Sequence, residues 1–420
     1  MHRFERYTHE QIYVIKPKKL GYDALRVTGE HKVYAIRAEW VNKHRSRDGL
    51  RLRHEPAWIP AQELQEGDYL AVAYDGTLQH EEIVLRVSDY IGIETLYEDT
   101  ELPVAVTAHS AYATQNGKLQ KVAIDGTGDF LGKAPLPLNN ELLVDEDLCY
   151  LFGRYLGDGC IVHRTKTDIP AGIKIVFNTS ELPDAERIAA IIEDKLGVPA
   201  SIKLSSTERW YDVWVNSMPV GEFFKSLFGH YSYRKRIPTA LMRLPDHLTR
   251  ALLRGLFQAD GYISGSYIGM LLSNRELATQ VHQLLLRLGY FFSIKENTHK
   301  LGKHPAYRLT AVASEAGDLF ADFFNTDVLL KPHSAKIYLE YGGLRWIRIN
   351  DISVEDYEGV VLDLEVEEDH SFVSAGVVVS NCYVIPSPHD SREGIMRTLT
   401  EMTEIMSRGG GVGINLSTLR

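Results

Sequence analysis

Two aspartates of this chain stand at the ends of two similar segments. Asp158 closes the segment LFGRYLGD, Asp260 closes LRGLFQAD, and a glycine follows each of them. In both copies small residues stand four positions apart, which leaves a bare stripe on a helix where a second backbone can approach. We therefore expect the two helices to pack together and bring both carboxylates to one end. Adjacent carboxylates repel each other unless a cation lies between them, and hard oxygen ligands suit Mg²⁺, which activates water and stabilises the oxygens of a displaced phosphodiester.

The sequence around these segments repeats as well. The first copy is followed by KIVFN, a helical pattern in DAERIAAIIEDKLG and a strand pattern in ASIKL, and the second by IGMLLS, ELATQVHQLLLRLG and FSIKE. A single Asp-Gly pair after a helix is usually a capped turn. Because both aspartates recur in register, the duplication favours nuclease chemistry over that alternative.

A second group of residues points to peptide-bond chemistry. The side-chain amide of Asn381 can attack its own main-chain carbonyl, closing a succinimide and cutting the bond to Cys382, whose thiol can first accept an acyl group. Thr28 and His31 stand three apart across a turn, and Asp363 with His370 precedes the asparagine. Taken alone, each pair has the alternative of a structural turn. Together these residues predict self-processing.

Composition limits the classes of protein. The chain has 420 residues, 44% hydrophobic and 24% charged, which predicts a folded protein of about two or three domains. A formal charge of −10 excludes a uniformly basic coat for nucleic acid but leaves a local basic face open. Three cysteines are too few for a disulfide scaffold and favour the cytoplasm, and no stretch has the roughly 18 apolar residues that span a membrane. We expect a cytoplasmic protein without a membrane partner.

The pattern of elements changes along the chain. Short strand patterns fill residues 11–73, helices alternate with strands after Asp145, and strand patterns return near Ile347. A β unit is therefore interrupted by an α/β unit, and a glycine-rich tail follows Asn381.

Charges are segregated in the same way. Residues 225–254 carry seven basic side chains and one acid, whereas residues 351–369 carry nine acids and no lysine or arginine. The basic run predicts a surface that faces phosphates. The alternative for each run is a solvated face.

The duplicated motif resembles that of the LAGLIDADG, or dodecapeptide, homing endonucleases over residues 140–338. The resemblance implies a pseudo-dimeric (αββαββα)2 fold of α+β class, double-stranded DNA as partner, and Mg²⁺ held by Asp158 and Asp260 as catalytic acids. The family's lysine before an Ile-Pro dipeptide matches Lys235. That lysine either stabilises the developing phosphorane charge or makes a plain phosphate contact. Arg234, Lys235 and Arg236 are the expected DNA-binding residues.

Residues 1–130 and 345–381 resemble the two parts of an intein's all-β Hint splicing domain. The resemblance assigns catalytic roles in splicing to six residues, namely Thr28, His31, Asp363, His370, Asn381 and Cys382. The histidine that usually precedes the terminal asparagine is Ser380 here, so His370, water or Ser380 must donate the proton, and we expect slower cleavage. The usual first block with its initiating Cys or Ser is missing. A split intein completed in trans by an N-terminal fragment, a gene fragment and a decayed element remain as alternatives.

Residues 382–420 resemble the catalytic subunit of ribonucleotide reductases, most closely the adenosylcobalamin-dependent ones. The resemblance implies a C-terminal extein stub, with adenosylcobalamin needed only by the complete host reductase and Mg²⁺ only by the endonuclease. Two other functions remain open: a decayed intein remnant that binds DNA without cutting it, and the function of the host reductase itself.

Overall fold

A computed structural model describes residues 2–18, 24–41, 52–73, 82–91, 104–107, 110–115, 118–124, 130–133, 138–163, 168–265, 267–297, 305–324, 338–366, 369–385, 388–407 and 411–414. The chain forms two compact units. The first unit consists of Met1–Gly76, Gly289–Ile294 and Ser334–Arg420, and the second of Thr77–Leu288 and Lys295–His333. The domain bounds expected above, at 1–130, 140–338, 345–381 and 382–420, stay predictions.

The described elements comprise strands and helices in both units. The strands are β1 (His2–Pro17), β2 (Leu25–Thr28), β3 (Lys32–Ile36), β4 (Ala57–Pro60), β5 (Tyr69–Val72), β6 (Val84–Arg86), β7 (Val104–Thr107), β8 (Ser110–Gln115), β9 (Lys118–Ile124), β10 (Phe130–Lys133), β11 (Leu138–Asn139), β12 (Glu141–Leu143), β13 (Gly159–His163), β14 (Pro170–Asn178), β15 (Ser201–Leu204), β16 (Trp210–Val215), β17 (Gly261–Ser264), β18 (Tyr267–Leu272), β19 (Ser293–Asn297), β20 (Ala306–Val312), β21 (Tyr338–Tyr341), β22 (Leu344–Glu365), β23 (Ser371–Ser374), β24 (Val377–Ser380), β25 (Cys382–Ile385) and β26 (Gly411–Ile414). The helices are α1 (Glu146–Asp158), α2 (Leu182–Ile191), α3 (Met218–Phe228), α4 (Asp246–Asp260), α5 (Arg275–Arg287), α6 (Ala313–Phe324) and α7 (Arg392–Ser407).

One large antiparallel sheet dominates the first unit. Its strand order is β2-β1-β22-β5-β24-β3-β4, with β21 beside β22 and β23 beside β24. Strand β1 pairs with β22 over almost its whole length. Ion pairs join Lys16 to Asp351 at 2.9 Å and Arg26 to Glu355 at 2.8 Å across this sheet. Part of the acidic run is therefore neutralised by basic residues of the N-terminal strands, and the strands expected near both ends of the chain are confirmed.

The duplicated sequence folds as a duplicated structure. The order α1-β13-β14-α2-β15-β16-α3 returns as α4-β17-β18-α5-β19-β20-α6. The two sheets have the same internal order, β13-β14-β16-β15 and β17-β18-β20-β19. The expectation of two αββαββα copies is confirmed by these elements. Whether the first unit is a Hint domain stays a prediction.

Local interactions explain where α1 begins and where both motif helices end. The Asp145 carboxylate accepts a hydrogen bond from the Leu148 backbone amide at 2.9 Å, which caps the start of α1. The glycines after the helices, Gly159 and Gly261, are extended, with φ of −81° and −78°, and open the next strands. They are required for space rather than for a left-handed turn, since a Cβ on Gly261 would lie 2.3 Å from the Phe257 carbonyl oxygen.

Candidate functional sites

The two motif helices cross in close backbone contact. A Cβ on Gly153 would lie 2.0 Å from the Leu252 carbonyl oxygen, and one on Gly255 would lie 2.3 Å from the Tyr150 carbonyl oxygen. Across the same seam, the Tyr150 hydroxyl donates to Gln258 Oε1 at 2.6 Å. The packing that the small-residue stripe predicts is thus confirmed, and it aligns the C-terminal ends of α1 and α4.

The two motif aspartates meet at this end. Asp158 and Asp260 are the last residues of their helices, and a Cβ on Gly157 would lie 3.4 Å from Asp260 Oδ2. Burial, together with the negative charge of Asp260, raises the pKa of Asp158 to about 6. Burial also raises the pKa of Asp260. Each carboxylate also lies at the C-terminal end of its helix, which is the negative end of the helix dipole. A bound cation would offset the burial of the carboxylates, their mutual repulsion and the effect of the dipoles.

The donor set fits a divalent cation held by few protein ligands. Among the described residues no group of three or more His, Cys, Asp or Glu side chains could hold a metal ion. Two hard carboxylates with the remaining positions open to water and phosphate oxygens match the preference of Mg²⁺.

Lys235 lies beneath the end of α1 rather than on the surface. Its side chain is 3% exposed, and its ammonium donates to the carbonyl oxygens of Tyr155, Leu156, Gly157 and Gly159 at 2.7–3.0 Å. Burial lowers the pKa of Lys235 to about 8, although the nearby carboxylates act in the opposite direction. The lysine therefore holds the turn that carries Asp158 and does not present its charge on the surface, where a plain phosphate contact would need it.

The basic run does not form one surface. Arg234 and Arg236 are exposed, whereas Lys235 is buried. Arg254 is paired with Asp322 within α6. Burial of Lys235 and the pairing of Arg254 remove two cations from the surface expected to face phosphates, and for the other basic residues of 225–254 that surface stays a prediction.

A second basic feature lies on the sheet of the first copy. Lys174 and Lys203 flank the ring of Trp214, with their ammonium nitrogens 5.4 Å and 5.5 Å from its centroid. Lys174 also pairs with Asp212 at 3.4 Å. This aromatic and basic cluster has the composition of a surface that contacts nucleic acid.

One buried cation near the aspartates was not anticipated from the sequence. The Arg154 guanidinium is fully buried in α1, lies 4.4 Å from the centre of the Phe177 ring and pairs with Glu181 at 3.3 Å. Its charge lowers the pKa of Asp158 and so opposes the effect of burial. The sequence signal was weak, because an arginine within a motif helix is more often solvent-exposed.

Three of the expected splicing residues line one cavity in the first unit. Thr28, His31 and Asp363 border a cavity of about 440 Å³, with the Phe372 ring 6.2 Å from the imidazole. Burial lowers the pKa of His31, and the charge of Asp363 partly opposes this. His31 Nε2 has no hydrogen-bond partner among the described residues. The structure thus brings Asp363 into one cavity with Thr28 and His31, from which it is far apart in sequence.

Asn381 is buried, and its backbone and its side chain each donate one hydrogen bond to a carbonyl oxygen. Its amide Nδ2 donates to the Val366 carbonyl at 3.1 Å, and its backbone amide donates to the His370 carbonyl at 3.1 Å. The preceding Ser380 hydroxyl donates to the Lys32 carbonyl at 3.3 Å. Within the described part of the chain, Asn381 Oδ1 has no partner.

The remaining two splicing residues are only partly defined. The His370 side chain is exposed, and its backbone has a positive φ of 49°, an uncommon conformation for a residue other than glycine. Cys382 opens strand β25, and its side chain lies outside the described part of the chain.

The model of the LAGLIDADG-like domain family matches residues 248–324. Residues 248–324 are thus similar to a LAGLIDADG-like domain. The match begins within α4, so it covers the second of the two copies and includes Asp260. The corresponding first copy carries the same element order, which extends the likeness in fold to residues 146–228.

Curated relatives match longer parts of the chain. The ATP-dependent DNA helicase Hel308 of Thermococcus kodakarensis is 25% identical over 393 residues, covering 88% of this chain and 32% of the helicase. The replication factor C small subunit of Methanocaldococcus jannaschii is 30% identical over 198 residues, covering 46% and 10%. The ribonucleoside-diphosphate reductase NrdEB subunit alpha of Bacillus subtilis is 22% identical over 313 residues, covering 65% and 28%. The chain therefore spans about a third or less of the length of these relatives.

Solved structures with the LAGLIDADG-like fold include two of the homing endonuclease I-DmoI. Its mesophilic variants have 18% sequence identity and a TM-score of 0.36, with coverage of 44% of this chain and 97% of that chain. Its complex with DNA and Mn has 18% identity and a TM-score of 0.35, with coverage of 44% and 99%.

In the described part of this chain, no helix has the length and apolar character needed to cross a bilayer.

Proposed function

We propose that residues 140–338 form a metal-dependent endonuclease that cuts double-stranded DNA. The proposal depends on one observation: Asp158 and Asp260 lie close together at the ends of two packed helices. Burial disfavours the ionised form of both carboxylates, and a bound cation would offset this. These two carboxylates would hold Mg²⁺, and a bound Mg²⁺ supplies a more acidic water and stabilises charge on phosphate oxygens. Lys235 and the helix seam keep the two carboxylates in register.

Contact with DNA would come from Lys203, Arg234 and Arg236, which are exposed, and from Lys174, which is half-buried. Lys174, Lys203 and Trp214 form the aromatic and basic cluster on the first sheet, and Arg234 with Arg236 is exposed before α4. Phosphate contacts of this kind position a duplex without reading its sequence. A local arrangement of cations is compatible with a net charge of −10.

Cleavage of a plasmid pool tests the nuclease. Each plasmid carries a candidate target whose right half is the native coding sequence from Cys382 onwards and whose left half is random. The right half reproduces one side of the host gene without the inserted element. With Mg²⁺ we expect double-strand cuts, which Asp158→Asn and Asp260→Asn abolish. Binding of the pool without cutting, over a range of divalent metals, would instead show a decayed DNA-binding remnant and overturn the proposed activity.

A second activity, autocatalytic cleavage between Asn381 and Cys382, is supported by the buried asparagine. Its Nδ2 is oriented by the Val366 carbonyl, next to a carbonyl carbon of the same residue. Attack by Nδ2 on that carbon would form the succinimide, break the bond to the Cys382 nitrogen and require one proton for the leaving amine. Thr28, His31 and Asp363 line a cavity suited to activating a separate upstream peptide bond.

Mass spectrometry of the purified chain tests this second activity. We expect release of the peptide that begins at Cys382, and no release from Asn381→Ala. A chain that stays intact through long incubation with thiol would contradict an independent C-terminal cleavage. Addition of an N-terminal intein fragment in trans, followed by a search for ligated product, distinguishes a split intein from a decayed one.

The relatives support the interpretation of an inserted element. A helicase, a replication factor and a reductase have unrelated activities, yet each shares a part of its length with this chain. A segment common to unrelated proteins is what a mobile intein would produce. We propose a ribonucleotide reductase as the host, because residues 382–420 resemble the catalytic subunit of that enzyme.

A further inference from the structure

The segment that carries Lys235 runs between the two copies of the duplicated fold. We call residues 234–238, which lie between α3 of the first copy and α4 of the second, the strap. Its start is attached to the first copy, since the Arg236 backbone amide donates to the Phe228 carbonyl at the end of α3 at 2.8 Å. The Lys235 ammonium donates hydrogen bonds to four backbone carbonyl oxygens at the end of α1 and just after it.

The backbone of the strap is held by the second copy. Asn274, which is 8% exposed, donates through Nδ2 to the Lys235 carbonyl. Gln280 of α5 bonds Ile237 in both directions, since its Oε1 accepts from the Ile237 amide at 2.8 Å and its Nε2 donates to the Ile237 carbonyl at 2.8 Å. The strap is therefore clamped by side chains of the second copy while its lysine holds the first.

Asn274 makes two separable contacts. Besides its bond to the strap, its Oδ1 accepts from the Glu276 amide at 2.9 Å and caps the start of α5. The first copy contains a matched residue, because Asn178 accepts from the Ser180 amide at 3.1 Å ahead of α2. In the described part of the chain, the side-chain hydrogen bonds of Asn178 join it to Thr179 and Ser180, and none reaches the strap. The pair thus separates helix capping from the clamp.

We propose that Asn274 and Gln280 are positioning residues for DNA cleavage. They fix the strap, the strap fixes Lys235, and Lys235 fixes the turn that carries Asp158 against Asp260 of the second copy. A chain of buried hydrogen bonds of this kind sets the distance between the two carboxylates without touching DNA or metal. The inference rests on the proposed nuclease function and extends it to residues outside both motifs.

The test compares Asn274→Ser with Asn178→Ser in the full chain. Serine retains a capping oxygen but is too short to reach the Lys235 carbonyl, so both variants keep their caps and only Asn274→Ser releases the strap. With a plasmid that the wild-type protein cuts, single-turnover cleavage by Asn274→Ser should fall about 10- to 100-fold, as expected for a small misplacement of catalytic groups. The Kd for the same duplex should change less than about twofold, and Asn178→Ser should cut normally.

A readout independent of activity follows the strap itself. Native protein is treated briefly with an amine-reactive ester, and mass spectrometry measures the modification of Lys235. We expect faster modification in Asn274→Ser and in Gln280→Glu, which loses its donor to the Ile237 carbonyl, and no change in Asn178→Ser. Equal unfolding temperatures of the two serine variants would exclude general destabilisation as the cause.

Three results would overturn the proposal, and they can be told apart. If the wild-type protein cuts DNA and Asn274→Ser cuts equally fast, the positioning role is wrong while the nuclease stands. If the wild-type protein cuts no DNA with any divalent metal, the nuclease and the positioning role fail together. Unchanged Lys235 modification in both Asn274→Ser and Gln280→Glu would also contradict the clamp, whatever the activity.

Discussion

Gly153 of α1 lies against Gly255 of α4, and a Cβ on the first would be 3.0 Å from the Cα of the second. The same Cβ would lie 2.0 Å from the Leu252 carbonyl oxygen, which is main chain and cannot turn aside. Gly153→Ala should therefore push the helices apart and lower the free energy of unfolding by about 3 kcal/mol. Denaturant unfolding measures this loss.

The matched control for that change is Gly317→Ala in α6. A Cβ on Gly317 would meet no atom within 4 Å, and alanine favours a helix. We expect unchanged or slightly increased stability. A Gly153→Ala protein as stable as Gly317→Ala would contradict the close crossing of the motif helices.

Asp158 should make the metal-free protein less stable above pH 6. Its pKa rises from 3.8 to about 6 on folding, so the folded chain binds this proton more tightly. The destabilising contribution is absent below pH 3.8, grows up to pH 6 and is complete above it. Asp158→Asn should therefore raise stability at pH 7.5 in EDTA by about 1–3 kcal/mol, with little effect near pH 4.

Thermal unfolding with and without Mg²⁺ checks this expectation. Mg²⁺ should stabilise the wild-type protein at pH 7.5 and stabilise Asp158→Asn much less, because binding to the folded state alone shifts the equilibrium. Cleavage should also rise through about pH 6, as Asp158 ionises. A wild-type protein more stable than Asp158→Asn in EDTA at pH 7.5 would show that the ionised Asp158 carboxylate does not destabilise the folded protein.

Arg154 depends on Glu181 for its buried charge. The Arg154 side chain has no exposed surface, so Glu181→Gln leaves a buried cation without its counter-charge while keeping an acceptor for the Asn178 amide. We expect a loss of about 3 kcal/mol in the free energy of unfolding. Chemical denaturation measures it.

An exposed ion pair serves as the comparison. Arg187 and Asp147 lie 3.0 Å apart with nearly half of each side chain exposed. Asp147→Asn should cost less than about 1 kcal/mol. Equal losses for the buried and the exposed pair would show that burial of Arg154 carries no special cost.

Release of the peptide at Cys382 should depend on His370 more than on Ser380. The Ser380 hydroxyl is directed to the Lys32 carbonyl, which competes with donation to a leaving amine. We expect Ser380→Ala to change the rate less than about twofold, and His370→Gln to slow it by about 100-fold, the usual contribution of a general acid. Time courses by mass spectrometry at pH 7 decide between them, and the reverse order would assign the proton to Ser380.

Much of the fold followed from local patterns. The repeat of LFGRYLGD and LRGLFQAD, with helical and strand periods behind each, predicted two similarly folded copies, and the resemblance to the homing endonucleases implied their αββαββα order. The bare stripe of small residues predicted the helix crossing, since side-chain volume sets how near two backbones come. A count of charges did not show that Lys235 of the basic run is buried and that Arg254 is paired with Asp322, because burial and pairing depend on tertiary packing.

By itself, the sequence determined the elements and the duplication, and it predicted two groups of candidate site residues, Asp158 with Asp260 and Thr28 with His31 ahead of Asn381. Only the tertiary structure decided that Lys235 faces inward to four carbonyl oxygens and that Asn274 holds its backbone. The reason is that helices and strands depend on neighbours a few positions apart, whereas burial and pKa depend on groups that packing brings together from distant parts of the chain.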